Sequence, residues 1–332
     1  MTDTTVFPTV ELMLARASHR EEMEKNRDSL SGSAFERVVI DGEPYVLKYL
    51  GYQIDWLARA LGDRDCFART MWQRGLLGQL PADIDHTIAA VADDPGTGRV
   101  ALLLRDVGPH LVPPGNERIG QEQHRTFLDH MARMHAAFWE FPDGSGLLPP
   151  GNRYIALTPG TGMREAVTAS ADPVPRMLVA RWAALAEAAP QLHDYAARIA
   201  HDPAPLVSVL ERMPATLVHG DWKLGNLGSH PDGRTILLDW GWPGRAAPLV
   251  DLGWYLAVNC DRIPESKEDT IAAYRNSLER LGIHTEPWWH EQLGVALLGA
   301  FVQLGWSKTR DAAELEWWER QVTPVARKLL EA

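Results

Sequence analysis

The sequence predicts an α+β fold, because strand patterns dominate its first third and helical patterns dominate the rest. Strand patterns before residue 107 occupy four runs: 35–40, 45–50, 88–92 and 99–104. The first two flank Asp41-Gly42, which is a strong signal for an antiparallel hairpin. A cluster of glycine and proline at 108–115 indicates a domain boundary. We therefore expect a small N-terminal domain, residues 1–107, and a larger helical domain, residues 108–332.

Composition places the chain among ordinary globular proteins and argues against two kinds of partner. Of its 332 residues, 45% are hydrophobic and 23% are charged. The net charge of −11 disfavours nucleic acid, which requires a basic surface. There is no signal-peptide pattern, and the longest apolar run, 293–304, is too short to span a bilayer. With Cys66 and Cys260 lacking disulfide or metal spacing, we expect a cytoplasmic protein without a membrane partner.

The second strand of the first hairpin carries a lysine, Lys48, that we expect to face a cleft. Alternation along the strand puts Val46 and Lys48 on one face, and Val46 is apolar. The run Val46-Leu47-Lys48 matches the kinase strand whose lysine reaches the α- and β-phosphates of a nucleotide. The alternative is a lysine that faces solvent, which is the usual place of an isolated lysine in a strand.

Residues 217–241 carry the pattern on which the functional prediction depends. His219-Gly220-Asp221 follows an apolar run, Asn226 comes five residues after the aspartate, and the next strand ends at Asp239-Trp240-Gly241. A turn signal, Pro231-Asp232-Gly233, separates them, so a hairpin would place the amide beside the second carboxylate. In kinases one carboxylate takes or steers the proton of the attacking hydroxyl, while an amide and a second carboxylate hold Mg²⁺. The alternative is a hairpin with a buried histidine and two solvated acids.

On this motif the chain resembles the aminoglycoside phosphotransferases and choline-kinase-like enzymes, small-molecule kinases with a protein-kinase-like fold. The resemblance implies a bilobal structure, with a small antiparallel β lobe followed by a larger, mainly helical lobe. It also implies an ATP-dependent O-phosphotransferase that uses ATP or GTP with Mg²⁺. The expected reaction is transfer of the γ-phosphoryl group to a hydroxyl of a small molecule.

The same resemblance assigns roles to five residues. Asp221 is the catalytic base or steering carboxylate, and Asn226 and Asp239 are the Mg²⁺ ligands. Lys48 clamps the α- and β-phosphates. Lys223, two residues after the catalytic aspartate, is expected to meet the γ-phosphate as a lysine does in many protein kinases.

Further nucleotide contacts are expected from the small lobe. The loop Ser31-Gly32-Ser33 lies one strand before Lys48, where this fold covers the phosphates, and a plain turn is the alternative. The segment Arg105-Asp106-Val107 is the expected hinge, whose backbone groups would bind the adenine edge. The acid that pairs with the lysine should come from the helices that follow it. The family's usual glutamate is missing there, and Asp65 is favoured over Asp63.

Other features are given structural roles. His219 should orient the catalytic loop, and His135 should be a hydrogen-bonded residue of the core. Asp251 should cap the helix that follows it and tie that helix to the catalytic loop. Residues 141–175, rich in proline and glycine, are interpreted as an irregular insertion over the cleft, and residues 265–332 as helical. Most tryptophans there should serve packing, although one or two could line the acceptor site.

The identity of the acceptor is the most open part of the prediction. The acidic chain and the resemblance favour a small, polar, amine-bearing acceptor such as an aminoglycoside-type antibiotic, in which case the protein would confer antibiotic resistance. A metabolic kinase of an amino sugar, a choline-like or a homoserine-like substrate is the alternative. A non-catalytic nucleotide-binding sensor is a third hypothesis, disfavoured because Asp221, Asn226 and Asp239 are all present.

Overall fold

The computed structural model describes residues 4–23, 33–168 and 172–331, in which a β-rich region precedes a mainly helical one. The strands are β1 (Val6–Phe7), β2 (Ala17–Glu22), β3 (Ala34–Ile40), β4 (Glu43–Leu50), β5 (Ile84–Asp85), β6 (Ile88–Asp94), β7 (Arg99–Arg105), β8 (Thr216–Val218), β9 (Leu227–Ser229), β10 (Thr235–Leu237) and β11 (Gly244–Ala246). The helices are α1 (Val10–Met13), α2 (Trp56–Leu61), α3 (Phe67–Gln73), α4 (Gln121–Ala137), α5 (Asn152–Ala156), α6 (Pro159–Thr168), α7 (Val174–Ala188), α8 (Pro190–His201), α9 (Ala204–Glu211), α10 (Leu249–Val258), α11 (Lys267–Arg280), α12 (Trp289–Leu304) and α13 (Ala312–Leu330). The predicted α+β class is confirmed.

A six-stranded sheet forms the N-terminal lobe, with strand order β1-β6-β7-β4-β3-β2. All neighbouring strands are antiparallel except β1 and β6. The expected hairpin joins β3 to β4 through Asp41 and Gly42, whose φ angles of 53° and 87° are those a tight two-residue turn requires. One face of the sheet packs on α1 through residues such as Val38 and Leu47, and the other face joins the main core.

The helical lobe is built around α10 and α12, which are buried along most of their length. Helix α4 is amphipathic, and Phe127, Met131 and Met134 on its inner face are completely buried. The C-terminal region is helical as expected, and Ser266 and Asp311 cap α11 and α13 with their side chains.

The expectation that 141–175 is irregular is wrong, because this segment contains α5 and α6. Its place as an insertion over the cleft stays a prediction. Helix α6 is held by tertiary contacts that no local pattern reveals. Gly162 allows α6 to approach α7 so closely that a Cβ there would lie 2.8 Å from the carbonyl oxygen of Pro175. One turn further along α6, Glu165 forms a buried ion pair with Arg59 of α2, with a nitrogen–oxygen distance of 2.7 Å.

The two lobes are joined by contacts beyond the chain crossover. The short strand β5 precedes β6 of the large sheet and pairs in parallel with β10 of the helical lobe. The ion pair between α2 and α6 links the lobes at a second point. The domain boundary at residues 107–108 stays a prediction. Among the described residues, no helix is both long enough and apolar enough to cross a membrane.

Candidate active site

One hairpin brings the amide and the second acid of the motif to the same place. Strands β9 and β10 pair antiparallel, with Leu227 opposite Leu237. The N–H of Leu238 donates to the carbonyl oxygen of Asn226 at 2.8 Å, which closes the end of the ladder. Asn226 and Asp239 therefore flank the hairpin at one end, as the turn signal predicted.

The carboxylate of Asp221 is held through both of its oxygens. Its Oδ1 accepts a hydrogen bond from the indole Nε1 of Trp254 at 3.0 Å. Its Oδ2 accepts from Nζ of Lys223 at 2.7 Å and from Nδ2 of Asn226 at 2.9 Å. Because the residue is only 4% exposed, these three donors determine the direction of the carboxylate.

The amide of Asn226 has one defined orientation. Its Nδ2 donates to the backbone oxygen of Asp221 at 3.0 Å as well as to the carboxylate. The amide Oδ1 therefore points away from Asp221, and among the described residues no donor binds it. This oxygen is available to a cation or to a ligand.

The backbone of Asp239 adopts a left-handed conformation with φ of 63°, which costs energy for a residue other than glycine. Its side chain is 36% exposed, and Oδ1 accepts from Nζ of Lys48 at 2.8 Å. Burial acts to raise the pKa of this carboxyl, but the charges of Lys48 and Lys223 outweigh it and hold the pKa below its usual range. Asp239 is therefore ionised at neutral pH.

Lys223 lies between the two acids of the motif. Burial acts to lower the pKa of its ammonium, but the charges of Asp221 and Asp239 outweigh this and raise the pKa. The ammonium is therefore charged at neutral pH, and its side chain is 30% exposed. It can leave the carboxylate to meet an anionic group in the cleft.

The expected ion pair between Lys48 and Asp65 is not the one that this structure forms. Asp65 is exposed in the turn before α3, whereas Lys48 binds Asp239. The second candidate, Asp63, uses Oδ1 to accept a bond from the N–H of Phe67 at 2.8 Å, at the start of α3. Both aspartates thus remain local to the helix terminus, since their short side chains do not reach the cleft.

A buried acid, Asp251, supports the catalytic loop from below. Its Oδ2 accepts from the N–H of His219 at 2.8 Å, and its Oδ1 accepts from the N–H of Gly220 at 2.7 Å. His135, fully buried as expected, lies 3.1 Å from Oδ2 through Nε2. Burial acts to raise the pKa of Asp251, but the hydrogen bond and charge of His135, aided by His219, lower it. The expected tie to the catalytic loop is present.

The expectation that Asp251 caps a helix is wrong. Helix α10 begins at Leu249, and Pro248 occupies the cap position. Asp251 thus lies inside the first turn, where its side chain is free to face the catalytic loop.

The imidazole of His219 joins the loop to the second strand of the hairpin. The N–H of Asp221 donates to Nδ1 at 3.2 Å, so the ring proton lies on Nε2 and donates to the carbonyl oxygen of Leu238 at 3.0 Å. Burial lowers the pKa of this histidine, which keeps it neutral. These contacts suit the orienting role expected for His219.

Glycine is required at position 220. Its φ is 81°, and a Cβ there would lie 2.3 Å from the carbonyl oxygen of Trp242. No other residue allows the loop to approach the Asp-Trp-Gly segment this closely.

A cleft adjoins Lys48 and Asp239. Its other lining residues are mostly apolar: Leu50, Ala68, His86, Thr87, Ile88, Leu102, Leu104 and Trp240. Thr87 has φ of 60°, unusual for a β-branched residue, and its N–H donates to Oδ1 of Asp85 at 2.9 Å. Sequence reasoning missed His86 and Thr87 because neither belongs to a motif.

The expected hinge is partly engaged within the protein. The N–H of Arg105 donates to the oxygen of Thr87 at 3.0 Å, and that of Asp106 to the oxygen of Pro44 at 3.4 Å. Among the described residues, the N–H of Val107 has no acceptor. It is therefore the hinge donor that remains for a ligand.

Two other expectations concern the phosphate loop and the C-terminal tryptophans. Ser31 and Gly32 of the expected phosphate loop lie outside the described residues, while Ser33 is buried beside β3.

Trp317 and Trp318 are buried, and the ammonium groups of Lys267 and Lys308 lie 4.8 and 5.6 Å from their ring centres. These two tryptophans therefore serve packing.

Comparisons with known proteins agree with this geometry. A model of the phosphotransferase enzyme family matches residues 30–284. The fold is similar to that of choline kinase LicA from Streptococcus pneumoniae, with 10% identity, 96% of this chain and 98% of that chain covered, and a TM-score of 0.53. It is also similar to a spectinomycin phosphotransferase solved with ADP and spectinomycin, with 11% identity, coverage of 94% and 92%, and a TM-score of 0.50. No curated protein matched by sequence. With most of its length matched, the chain belongs to the phosphotransferase enzyme family and is a small-molecule O-phosphotransferase with a protein-kinase-like fold.

Proposed function

We propose that this enzyme transfers the γ-phosphoryl group of ATP or GTP, with Mg²⁺, to a hydroxyl of a small, polar, amine-bearing acceptor in the cytoplasm. The observation that carries the proposal is the arrangement of five polar side chains, two of which, Lys48 and Asp239, line the cleft. Asp221 is hydrogen-bonded to Lys223 and Asn226, and Asp239 is bonded to Lys48 beside them. This arrangement supplies a carboxylate for the acceptor hydroxyl and oxygen ligands for a metal ion. It also supplies two lysine ammonium groups for the phosphates.

The residues fit a magnesium ion. Among the described residues, no donor binds Oδ1 of Asn226 or Oδ2 of Asp239, while Lys48 binds Oδ1 of Asp239. An amide oxygen and an ionised carboxylate are the hard ligands that Mg²⁺ prefers. Asn226 and Asp239 would hold the ion, which when bound neutralises charge on the phosphate oxygens.

Three residues of the chain have the remaining roles in the reaction. Asp221 receives or steers the proton of the acceptor hydroxyl, because its carboxylate is held in one direction by hydrogen bonds from Trp254 and Lys223. Lys223 carries a charge that can pass from this carboxylate to the γ-phosphate. Lys48 holds the α- and β-phosphates from the strand that forms the roof of the cleft.

The nucleotide base belongs in the apolar part of the cleft. Leu102 and Leu104 of β7 lie there, in the same region as Trp240. The free N–H of Val107 supplies one hydrogen-bond donor at the hinge. A planar base with a hydrogen-bonding edge suits such a surface.

The proposal of an amine-bearing acceptor is based on the negative net charge of the protein. The chain carries a net charge of −11, and a cationic acceptor gains from nearby carboxylates at short range. An antibiotic of the aminoglycoside type meets this description, and so do amino sugars and choline-like or homoserine-like metabolites.

One screen tests the proposal. Consumption of MgATP and MgGTP is measured with aminoglycosides, amino sugars, macrolides, peptide antibiotics and amino alcohols, with the slower Asp221→Asn variant as the control. The expected result is that the wild type phosphorylates an amine-bearing alcohol and that the control shows much lower turnover of the same compound. A neutral or anionic best acceptor would refute the acceptor class. Tight nucleotide binding with no turnover of any acceptor would instead favour a sensor.

A further inference from the structure

The same helix contacts the catalytic loop at two points. Asp251 and Trp254 are three residues apart on α10 and therefore lie on one face of the helix. Asp251 accepts the N–H groups of His219 and Gly220, while the indole Nε1 of Trp254 donates to Oδ1 of Asp221 at 3.0 Å. The backbone of the loop and its catalytic side chain are thus positioned by one rigid element.

The three donors to Asp221 are not equivalent. Lys223 and Asn226 both bind Oδ2, and in the proposed reaction both have a second task, at the γ-phosphate and at the cation. Among the described residues, Trp254 is the donor to Oδ1. Its indole N–H does not titrate in the range of enzyme activity, and at 5% exposure the ring has little room to turn.

The indole of Trp254 is itself held in place. The ring of Trp242 packs against it, with centroids 5.4 Å apart and planes inclined by 42°. Trp242 directly follows Asp239-Trp240-Gly241, so this contact joins the Asp221 carboxylate to the segment that carries the second acid. A buried indole N–H usually has a hydrogen-bond partner, and here that partner is the carboxylate to which the proposed function gives the proton.

We propose that Trp254 is a positioning residue for phosphoryl transfer. Its N–H fixes the Asp221 carboxylate through Oδ1, so that the carboxylate keeps its direction toward the acceptor hydroxyl when Lys223 and Asn226 engage the nucleotide and the cation. This inference rests on the proposed function, because it assigns Trp254 to the same reaction. It predicts that loss of one N–H group, without loss of ring volume, slows turnover.

The test replaces the donor while keeping the shape of the ring. In the full-length protein, Trp254 is substituted by benzothienylalanine, in which sulfur replaces the N–H, and separately by phenylalanine. We measure kcat and both KM values with MgATP and the best acceptor of the screen, the Kd of MgATP by calorimetry and the melting temperature. We expect kcat to fall about 10- to 100-fold, the range for a lost hydrogen bond to a charged group. The KM and Kd of MgATP should stay within about twofold, because Trp254 does not line the cleft proposed for the nucleotide.

Two controls separate positioning from packing. Trp182, also buried, donates its Nε1 to the carbonyl oxygen of Leu157 at 2.8 Å, so benzothienylalanine there loses a comparable bond outside the site. We expect its kcat to stay within about twofold of the wild type. In the Asp221→Asn background the substitution at Trp254 should add little to the loss of kcat, because the two residues act as a unit.

Each result has a definite meaning. A folded benzothienylalanine variant at Trp254 with wild-type kcat would overturn the positioning role. Equal losses at Trp182 and Trp254 would also overturn it, since they would report packing. If the wild type turns over no acceptor in the screen, the proposed function fails before any variant is compared, and the role of Trp254 fails with it.

Discussion

The buried acid Asp251 offers the sharpest test of how the catalytic loop is held. Its two oxygens accept three hydrogen bonds, from the N–H groups of His219 and Gly220 and from Nε2 of His135. Asparagine has the same shape but one acceptor oxygen, so in either orientation its NH₂ group faces a backbone N–H. Asp251→Asn therefore removes at least one charge-assisted bond and leaves one buried donor unpaired, which together cost about 3–5 kcal/mol.

Urea unfolding at neutral pH measures this cost, and the matched control is Asp232→Asn. Asp232 is exposed and binds the neighbouring Arg234, so the control should show no measurable change in the free energy of unfolding. A loss of less than about 1 kcal/mol for Asp251→Asn would refute the account of the loop. Such a result would mean that the two N–H groups find other acceptors.

The pH dependence of the free energy of unfolding gives a second measurement on the wild type and Asp251→Asn. The pKa of Asp251 is lowered in the folded state, so the carboxylate contributes stability above its unfolded pKa, about 3.9. That contribution is lost as the pH falls through the folded value. We expect the difference between wild type and Asp251→Asn to be full at neutral pH and to shrink below about pH 4. A difference independent of pH down to acid unfolding would contradict the ionised state.

Three further variants probe the site. Asp239→Ala should abolish Mg²⁺-dependent turnover in an ATP-consumption assay, and full activity with the same Mg²⁺ requirement would show that the cation lies elsewhere. Asp221→Asn should lower kcat by roughly 10²–10⁴-fold with little change in the Kd of MgATP, and unchanged turnover would remove it from the mechanism. Gly220→Ala should destabilise the protein by at least about 2 kcal/mol, since a Cβ would combine backbone strain with a 2.3 Å approach to Trp242. Gly42→Ala is its control in thermal unfolding, because φ is 87° there but nothing lies within 4 Å, and equal losses would show that strain alone matters.

Features set by neighbouring residues could be predicted from the sequence. The hairpin at Asp41-Gly42 needs two residues with positive φ, and these residue types tolerate it. The hairpin between β9 and β10 follows in the same way from the turn at 231–233, and it places Asn226 beside Asp239. In each case the chemistry of a few consecutive residues determines the local geometry.

Features that depend on distant partners could not be predicted in this way. Lys48 was expected to bind Asp65, but it binds Asp239, 191 residues along the chain. Asp251 was expected to cap its own helix, but it binds a loop about 30 residues away. Short side chains bind whichever partner the packing brings within about 3 Å, and helix propensity does not determine that distance.

The sequence by itself determined the family, the α+β class and the order of the motif, because an aspartate, an asparagine and a second aspartate at these spacings suit one kind of chemistry. Tertiary structure alone decided how the carboxylate of Asp221 is held. Trp254 belongs to no motif, so the sequence does not distinguish it from the other buried tryptophans. Its N–H points toward Asp221 because its ring packs against Trp242. A hydrogen bond depends on a distance and an angle, and only the folded chain determines these for residues 33 positions apart.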